Sequence, residues 1–327
     1  MKRRDFITLV GGAAAAWPFV AHAQQPALPV VGFLNSESLD LSAERVRAFR
    51  QGLSEAGYVD GRNVAIEYRW GEGRYDRLPA LAADLVRRNV TVLCAIGSIA
   101  APLAAKGATT RIPIVFQTGA DPVKFGLVAS LARPGGNLTG VASLNVELGP
   151  KRLELLREAI PTATIVGLLV NPTSPNAENL SKDMQAAARR LGLQLQILHA
   201  STERDFETAF RTLSEVRANA LVIGTDPFFT ARSQKLATLA LSRAVATIFQ
   251  FREFALAGGL MSYGGSLTDV SRLAGVYTGR ILKGEKPADL PVLQSMKVEL
   301  FINLKTAKAL GLTLQITLLG RANEVFE

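Results

Sequence analysis

Five short stretches of this chain gather side chains able to hold a polar or charged molecule. They are Asn35-Ser36-Glu37-Ser38, Gly97-Ser98, Gln117-Thr118-Gly119-Ala120-Asp121-Pro122, Asn171-Pro-Thr-Ser-Pro175 and Thr225-Asp226-Pro-Phe-Phe229. Each follows an apolar run and opens a helix-like segment. Taken singly, each stretch is a helix N-cap, where Ser, Thr, Asp and Asn accept from free backbone N–H groups. Taken together at one edge, helix N-termini and hydroxyls hold an anionic group such as a carboxylate. Asp121 or Asp226 would hold a cationic group such as an ammonium. A zwitterion fits that combination, and so does a neutral polar solute.

Covalent and metal chemistry have little to work with. The histidines are His22 and His199, and the second stands at the end of an expected strand, away from any triad. There is no Gly-x-Ser-x-Gly elbow, no phosphate-binding Gly-Lys-Ser/Thr and no metal-ligand spacing. Gly71-Glu-Gly73 lacks the third glycine of a dinucleotide site. The single cysteine, Cys94, lies in the apolar stretch Val90–Ile96, where a thiol acts as a small buried hydrophobe. No catalytic residue, cofactor or metal site is expected, and an enzyme is the least favoured class.

These loops need a scaffold that brings them to one edge. Apolar runs at Leu28–Leu34, Val64–Tyr68, Thr91–Ile96 and Ile112–Phe116 alternate with helical patterns at Leu41–Ala56, Tyr75–Asn89 and Ile99–Ala108. After Arg133-Pro-Gly-Gly-Asn137 the rhythm restarts, with strands at Thr164–Val170, Gln194–Leu198, Ala220–Gly224 and Ala246–Phe249 and a helix at Pro175–Leu191. Strand–helix alternation with continuous apolar strands indicates parallel sheets covered on both faces. Ligands then sit at the carboxyl ends of the strands. A tail of strand (Gly258–Tyr263), helix (Ser266–Lys283), strand (Lys297–Asn303) and short helix is long enough to cross between lobes and return. The 327 residues, 48% hydrophobic and 20% charged, exceed one compact domain and suit two. The expected fold is therefore α/β, two doubly wound parallel-sheet lobes joined by a multi-strand hinge. The expected boundaries are 28–142 plus 256–291 for the first lobe and 143–255 plus 292–327 for the second.

Residues 1–23 form a signal peptide: basic Lys2-Arg3-Arg4, apolar Phe6 to Ala16, and a small-x-small Ala21-His22-Ala23 cleavage pattern. Arg3-Arg4-Asp5-Phe6-Ile7 resembles a twin-arginine signal, which implies export to the periplasm by that route. The formal charge of +9 is spread along helices, as at Arg45, Arg47 and Arg50, and reads as solvated surface. A nucleic-acid binder concentrates such charge on one face, so no nucleic-acid partner is expected.

A longer set of motifs resembles one family. Ala95-Ile-Gly-Ser98, Ile112-Pro-Ile-Val-Phe116, Asp121-Pro-Val123, Gly126-Leu-Val128 and Ser130-Leu-Ala-Arg-Pro-Gly-Gly-Asn137 come first. Gly258-Gly-Leu-Met-Ser-Tyr-Gly264, Ile281-Leu-Lys-Gly284, Lys286-Pro-Ala-Asp-Leu-Pro291 and Ile302-Asn-Leu-Lys-Thr-Ala-Lys308 follow in order. This set resembles the ABC-transporter substrate-binding proteins related to the tryptophan/tyrosine binders. The resemblance implies a type I periplasmic-binding fold and a cleft between lobes. It also implies a role as the solute-binding component of an importer, with a permease in the inner membrane as partner and no cofactor. A monomer suits such transient docking, and a periplasmic sensor serving a receptor is the alternative. The residues expected to line the cleft are Asn35, Ser36, Ser98, Thr118, Asp121, Asn171, Asp226 and Tyr263. An aromatic amino acid would need enclosing rings, for which Phe116, Phe228, Phe229 and Tyr263 are the candidates.

Overall fold

The computed structural model describes residues 28–295 and 297–327. The signal-peptide reading of residues 1–23 lies outside them. Strand β1 (Val30–Asn35) is buried at every residue but its first, as expected of a strand covered on both faces. Helix α1 (Leu39–Glu55) turns Val46, Phe49 and Leu53 inward. It stops at Gly57, whose φ of +94° lets the Tyr58 amide reach back to the Leu53 carbonyl. Next come β2 (Ala65–Trp70), a 3-10 turn (Tyr75–Arg77), α2 (Leu78–Arg87), β3 (Val92–Ile96), α3 (Ala100–Ala108), β4 (Ile114–Thr118) and β5 (Leu138–Ala142).

The chain then builds a second layer set. Its elements are α4 (Gly149–Ala159), β6 (Ile165–Val170), α5 (Ala177–Arg190), β7 (Gln194–His199), α6 (Arg204–Glu215), β8 (Ala220–Ile223), α7 (Pro227–Thr230), α8 (Ser233–Ser242), β9 (Ala246–Phe249), α9 (Arg252–Leu256) and β10 (Met261–Gly265). The tail adds α10 (Leu267–Leu282), β11 (Leu293–Gln294), β12 (Val298–Asn303), α11 (Leu304–Ala309), α12 (Ile316–Leu319) and β13 (Glu324–Phe326).

Two sheets result, ordered β11-β5-β4-β3-β1-β2 and β13-β12-β10-β9-β8-β6-β7. The molecule is thus two parallel-sheet α/β lobes. The tail moves the crossover points from those expected at 256 and 292. Strand β10 pairs with β9 in the second sheet, while α10 packs on α1 and β11 pairs with β5 in the first. The chain therefore returns to the first lobe only after Gly265 and leaves it again after Gln294.

One strand pair in the second sheet is antiparallel: β12 runs against β10, with Met261 opposite Ile302. The reason is directional. β10 runs toward the lobe boundary, and β12 re-enters from that boundary and must run away from it. Three crossovers, after β5, after β10 and before β12, are the covalent links between the lobes. Asn145 on the first ties it to the second, its Oδ1 accepting from the Gly265 amide at 2.8 Å.

Candidate functional site

The carboxyl ends of both sheets face one another across a cleft. Its inner cavity is walled by Glu37, Arg45, Ser98 and Thr118 from the first lobe and by Asn176, Thr225, Thr230 and Gln250 from the second. Arg45, Thr230, Gln250 and Phe251 also line a wider, adjoining mouth.

On the first lobe, much of the polar chemistry is spent on shaping loops. Asn35 is buried; its Nδ2 donates to Ser42 Oγ at 3.1 Å and its Oδ1 accepts from the Glu37 amide at 2.9 Å. Ser36 is buried beneath Gly97, where a Cβ would lie 2.3 Å from Ser36 Oγ. Gly97 also has a φ of +105°, so glycine is required on both counts. Ser98 Oγ and Thr118 Oγ1 accept from the amides two residues on, Ala100 at 3.3 Å and Ala120 at 3.0 Å. Both side chains nevertheless line the cavity.

Asp121 takes a different place. Its Oδ1 accepts from the Val123 and Lys124 amides, and its own amide donates to Glu147 Oε1 at 2.9 Å. It caps a turn and is absent from the cavity walls.

On the second lobe, Asn171 and Asp226 act as a pair. Asn171 Nδ2 donates to Asp226 Oδ1 at 3.1 Å, and the Phe228 amide donates to the same oxygen at 2.9 Å. The other oxygen, Oδ2, accepts from the Tyr75 hydroxyl at 2.6 Å. Burial pushes the Asp226 carboxyl upward, while these three hydrogen bonds act the other way. Tyr263 lies on β10 with its ring packed against the main core, and it does not line the cavity. The structure thus brings Ser98 and Thr118 to the inner cavity. Asn171 and Asp226 line a small recess on the second lobe, which Asn176 and Thr225 share with the cavity. Asn35 and Ser36 support the loops behind it.

The aromatic candidates sit elsewhere. Phe116 and Phe229 are fully buried in the core. Phe228 packs against Phe206 and Phe229 and carries the Arg232 guanidinium 4.2 Å from its ring centre. Among the described residues, the one ring on the inner cavity is that of Phe251.

Other cavity residues escaped the sequence reading. Arg45, expected on a solvated face with Arg47 and Arg50, is instead buried and ion-paired with buried Glu37. Ser42 Oγ donates to the same carboxylate at 3.2 Å, and Arg45 Nη2 donates to the Leu41 carbonyl at 2.7 Å. Gln250 and Phe251 follow β9, so the rule of inspecting each strand's end would have found them. Asn145 follows β5, a strand hidden by its glycine and the turn-rich segment before it. Beneath the cavity floor lies Arg152, also buried. It donates to the Tyr263 carbonyl at 2.7 Å, the Asn145 carbonyl at 2.8 Å and Thr225 Oγ1 at 3.2 Å. Burial pushes its pKa down to about 9, so it remains a cation at neutral pH.

Two open α/β sheets joined by three crossovers, with a polar cleft at their facing edges, define the type I periplasmic-binding fold. The chain belongs to the family of ABC transporter substrate-binding proteins, whose pattern matches residues 28–326. It is similar to a protein from Clostridioides difficile named tyrosine-binding protein, 26% identical over 267 residues, or 81% of this chain and 76% of that one. A conserved domain protein from Vibrio cholerae is 25% identical with a TM-score of 0.84, covering 91% of this chain and 99% of the other. A protein from Streptococcus pneumoniae, solved in complex with L-Trp, is 24% identical with a TM-score of 0.83, covering 92% of this chain and 100% of the other.

Proposed function

We propose that this protein is exported to the periplasm and captures a small polar or zwitterionic solute for an ABC permease of the inner membrane, acting as a monomer. The observation that carries the reading is the cleft itself, whose polar walls come from both lobes while only three crossovers join them. A solute touching both walls binds the closed state better than the open one, and that difference drives closure. The residues Arg3-Arg4-Asp5-Phe6-Ile7 support export by the twin-arginine route. Aromatic amino acids are the first ligands to try, because tyrosine and tryptophan are named for two similar proteins.

Thermal unfolding of residues 24–327 against amino acids, aromatic acids, nucleosides and sugars tests this. A ligand at a hundred times its Kd stabilises by about 2.7 kcal/mol, a shift well above the noise of the measurement. A saturable rise confined to one chemical class supports the reading and names the solute class. A flat response across all classes counts against capture of a small solute.

A further inference from the structure

Tyr75 belongs to the first lobe and Asp226 to the second, and they meet across the cleft at 2.6 Å. Away from the three crossovers, this pair is where the lobes hydrogen-bond, with the Ser174 hydroxyl of the second lobe also acting on both groups, and among the described residues no ion pair joins the lobes there. The other groups on Asp226 come from its own lobe. The Phe228 amide and Asn171 Nδ2 both use Oδ1, so Oδ2 is left facing Tyr75. Burial and the facing carboxylate hold the Tyr75 phenol well above its ordinary pKa, so it stays a donor.

We infer that Tyr75 is the closure residue of the cleft: its hydroxyl latches the first lobe onto Asp226, and Asp226 serves closure instead of holding a charge on the solute. Opening the lobes separates the two groups, whereas the loop-shaping bonds of Asn35, Ser98 and Thr118 stay within one lobe and survive. The solute's donors then fall to other atoms. Asn176 Oδ1 and Gln250 Oε1 are buried acceptors without a partner among the described residues, and both side chains line the inner cavity. This inference rests on the two-lobed binding reading but is tested without any ligand.

The test is a distance measurement between spin labels on the two lobes of ligand-free protein. Arg87→Cys and Lys182→Cys place labels on exposed helix positions, and native Cys94 is fully buried. A charge-assisted hydrogen bond supports a closed-to-open ratio about tenfold higher than its absence would. Wild type is expected to show a dominant short distance, and Tyr75→Phe a ratio about tenfold lower, with a cooperative unfolding transition retained. Asp226→Asn keeps its single oxygen as the cap for Phe228 and turns an uncharged amide N–H toward the Tyr75 oxygen, so it should shift the ratio less, and the two substitutions should not add. Should Tyr75→Phe fail to fold, a smaller shift in Asp226→Asn alone still supports the latch, and none overturns it. Identical distance distributions for wild type and Tyr75→Phe overturn the inference, as does a ligand-free wild type that is entirely open. A protein that closes through Tyr75 yet binds no solute overturns the capture reading and leaves the latch standing.

Discussion

Arg152 is a buried cation with no carboxylate in ion-pair contact among the described residues, and it holds three separate segments together. Its acceptors are the first crossover at Asn145, the loop after β8 at Thr225 and strand β10 at Tyr263. Two effects compete when it is removed. Losing a buried charge relieves desolvation, while losing the guanidinium orphans up to three acceptors at about 1–3 kcal/mol each. The second wins here, because the planar fork meets three acceptors that no smaller group reaches together. Arg152→Met should therefore lower stability by about 3 kcal/mol, read as a shift in urea midpoint at constant slope. A neutral result would mean that the desolvation of this cation outweighs its hydrogen bonds. Sequence alone made Arg45 one more solvated helix charge and gave no reason to single out Arg152. A charge turned inward on an otherwise solvated helix face carries no local signal, because its partners lie far away in the chain.

At the scale of elements, the contact between α1 and α10 is made by glycines. A Cβ on Gly275 would lie 2.1 Å from the Phe49 carbonyl oxygen, and one on Gly52 would lie 1.8 Å from that of Arg272. These helices touch backbone to backbone, so the neighbour cannot give way by a rotamer change. Gly275→Ala gains helix propensity of about 1 kcal/mol but forces the helices apart, at a cost near the upper end of the 1–3 kcal/mol typical of overpacking. A net loss of about 2 kcal/mol is expected in chemical denaturation. The same substitution at Gly107, on α3 with nothing within 4 Å, should instead raise stability by about 0.5–1 kcal/mol. Equal effects at the two sites would remove the close approach as the cause. The strands that read clearly in sequence were those with strongly apolar runs, among them β1, β3, β6 and β8, even where a glycine lies inside, as in β1 and β6. Strand β5 did not, since Leu138-Thr-Gly-Val-Ala142 has few large apolar residues and directly follows a run of turn residues. That glycine is structural: a Cβ at Gly140 would lie 2.1 Å from the Phe116 carbonyl oxygen. The candidate cavity was legible where a polar loop followed a legible strand, as at Ser98 and Thr118. It was lost where the strand was missed or its last residue was taken as the end of interest, as at Asn145 and Gln250.

Across the whole molecule, neither lobe is a continuous stretch of chain, and this follows from the tail. One face of the first sheet is covered by α1 together with α10, and its core cluster joins Val31, Phe33, Phe49 and Leu53 to Val270, Ala274, Tyr277 and Ile281. The same cluster includes Leu290, whose carbonyl accepts from Thr139 Oγ1 at 2.7 Å. Local patterning showed a helix at Ser266–Lys283 but not which sheet it covers, since membership depends on contacts made after two crossovers. The discontinuity has a measurable consequence. Residues 24–142 alone contain five of the six strands of the first sheet yet leave that apolar face without α10. Four large side chains lose most of their cover, and burying each is worth about 1.5–3 kcal/mol, comparable in sum to the whole stability of a domain. The fragment should lack amide dispersion in NMR spectra and bind a hydrophobic dye. Joining residues 266–295 to its end through a flexible linker should restore a cooperative unfolding transition, because the linked helix supplies the missing face at high effective concentration. A fragment of 24–142 that unfolds cooperatively by itself would show that α10 is an accessory to the first lobe instead of part of its core.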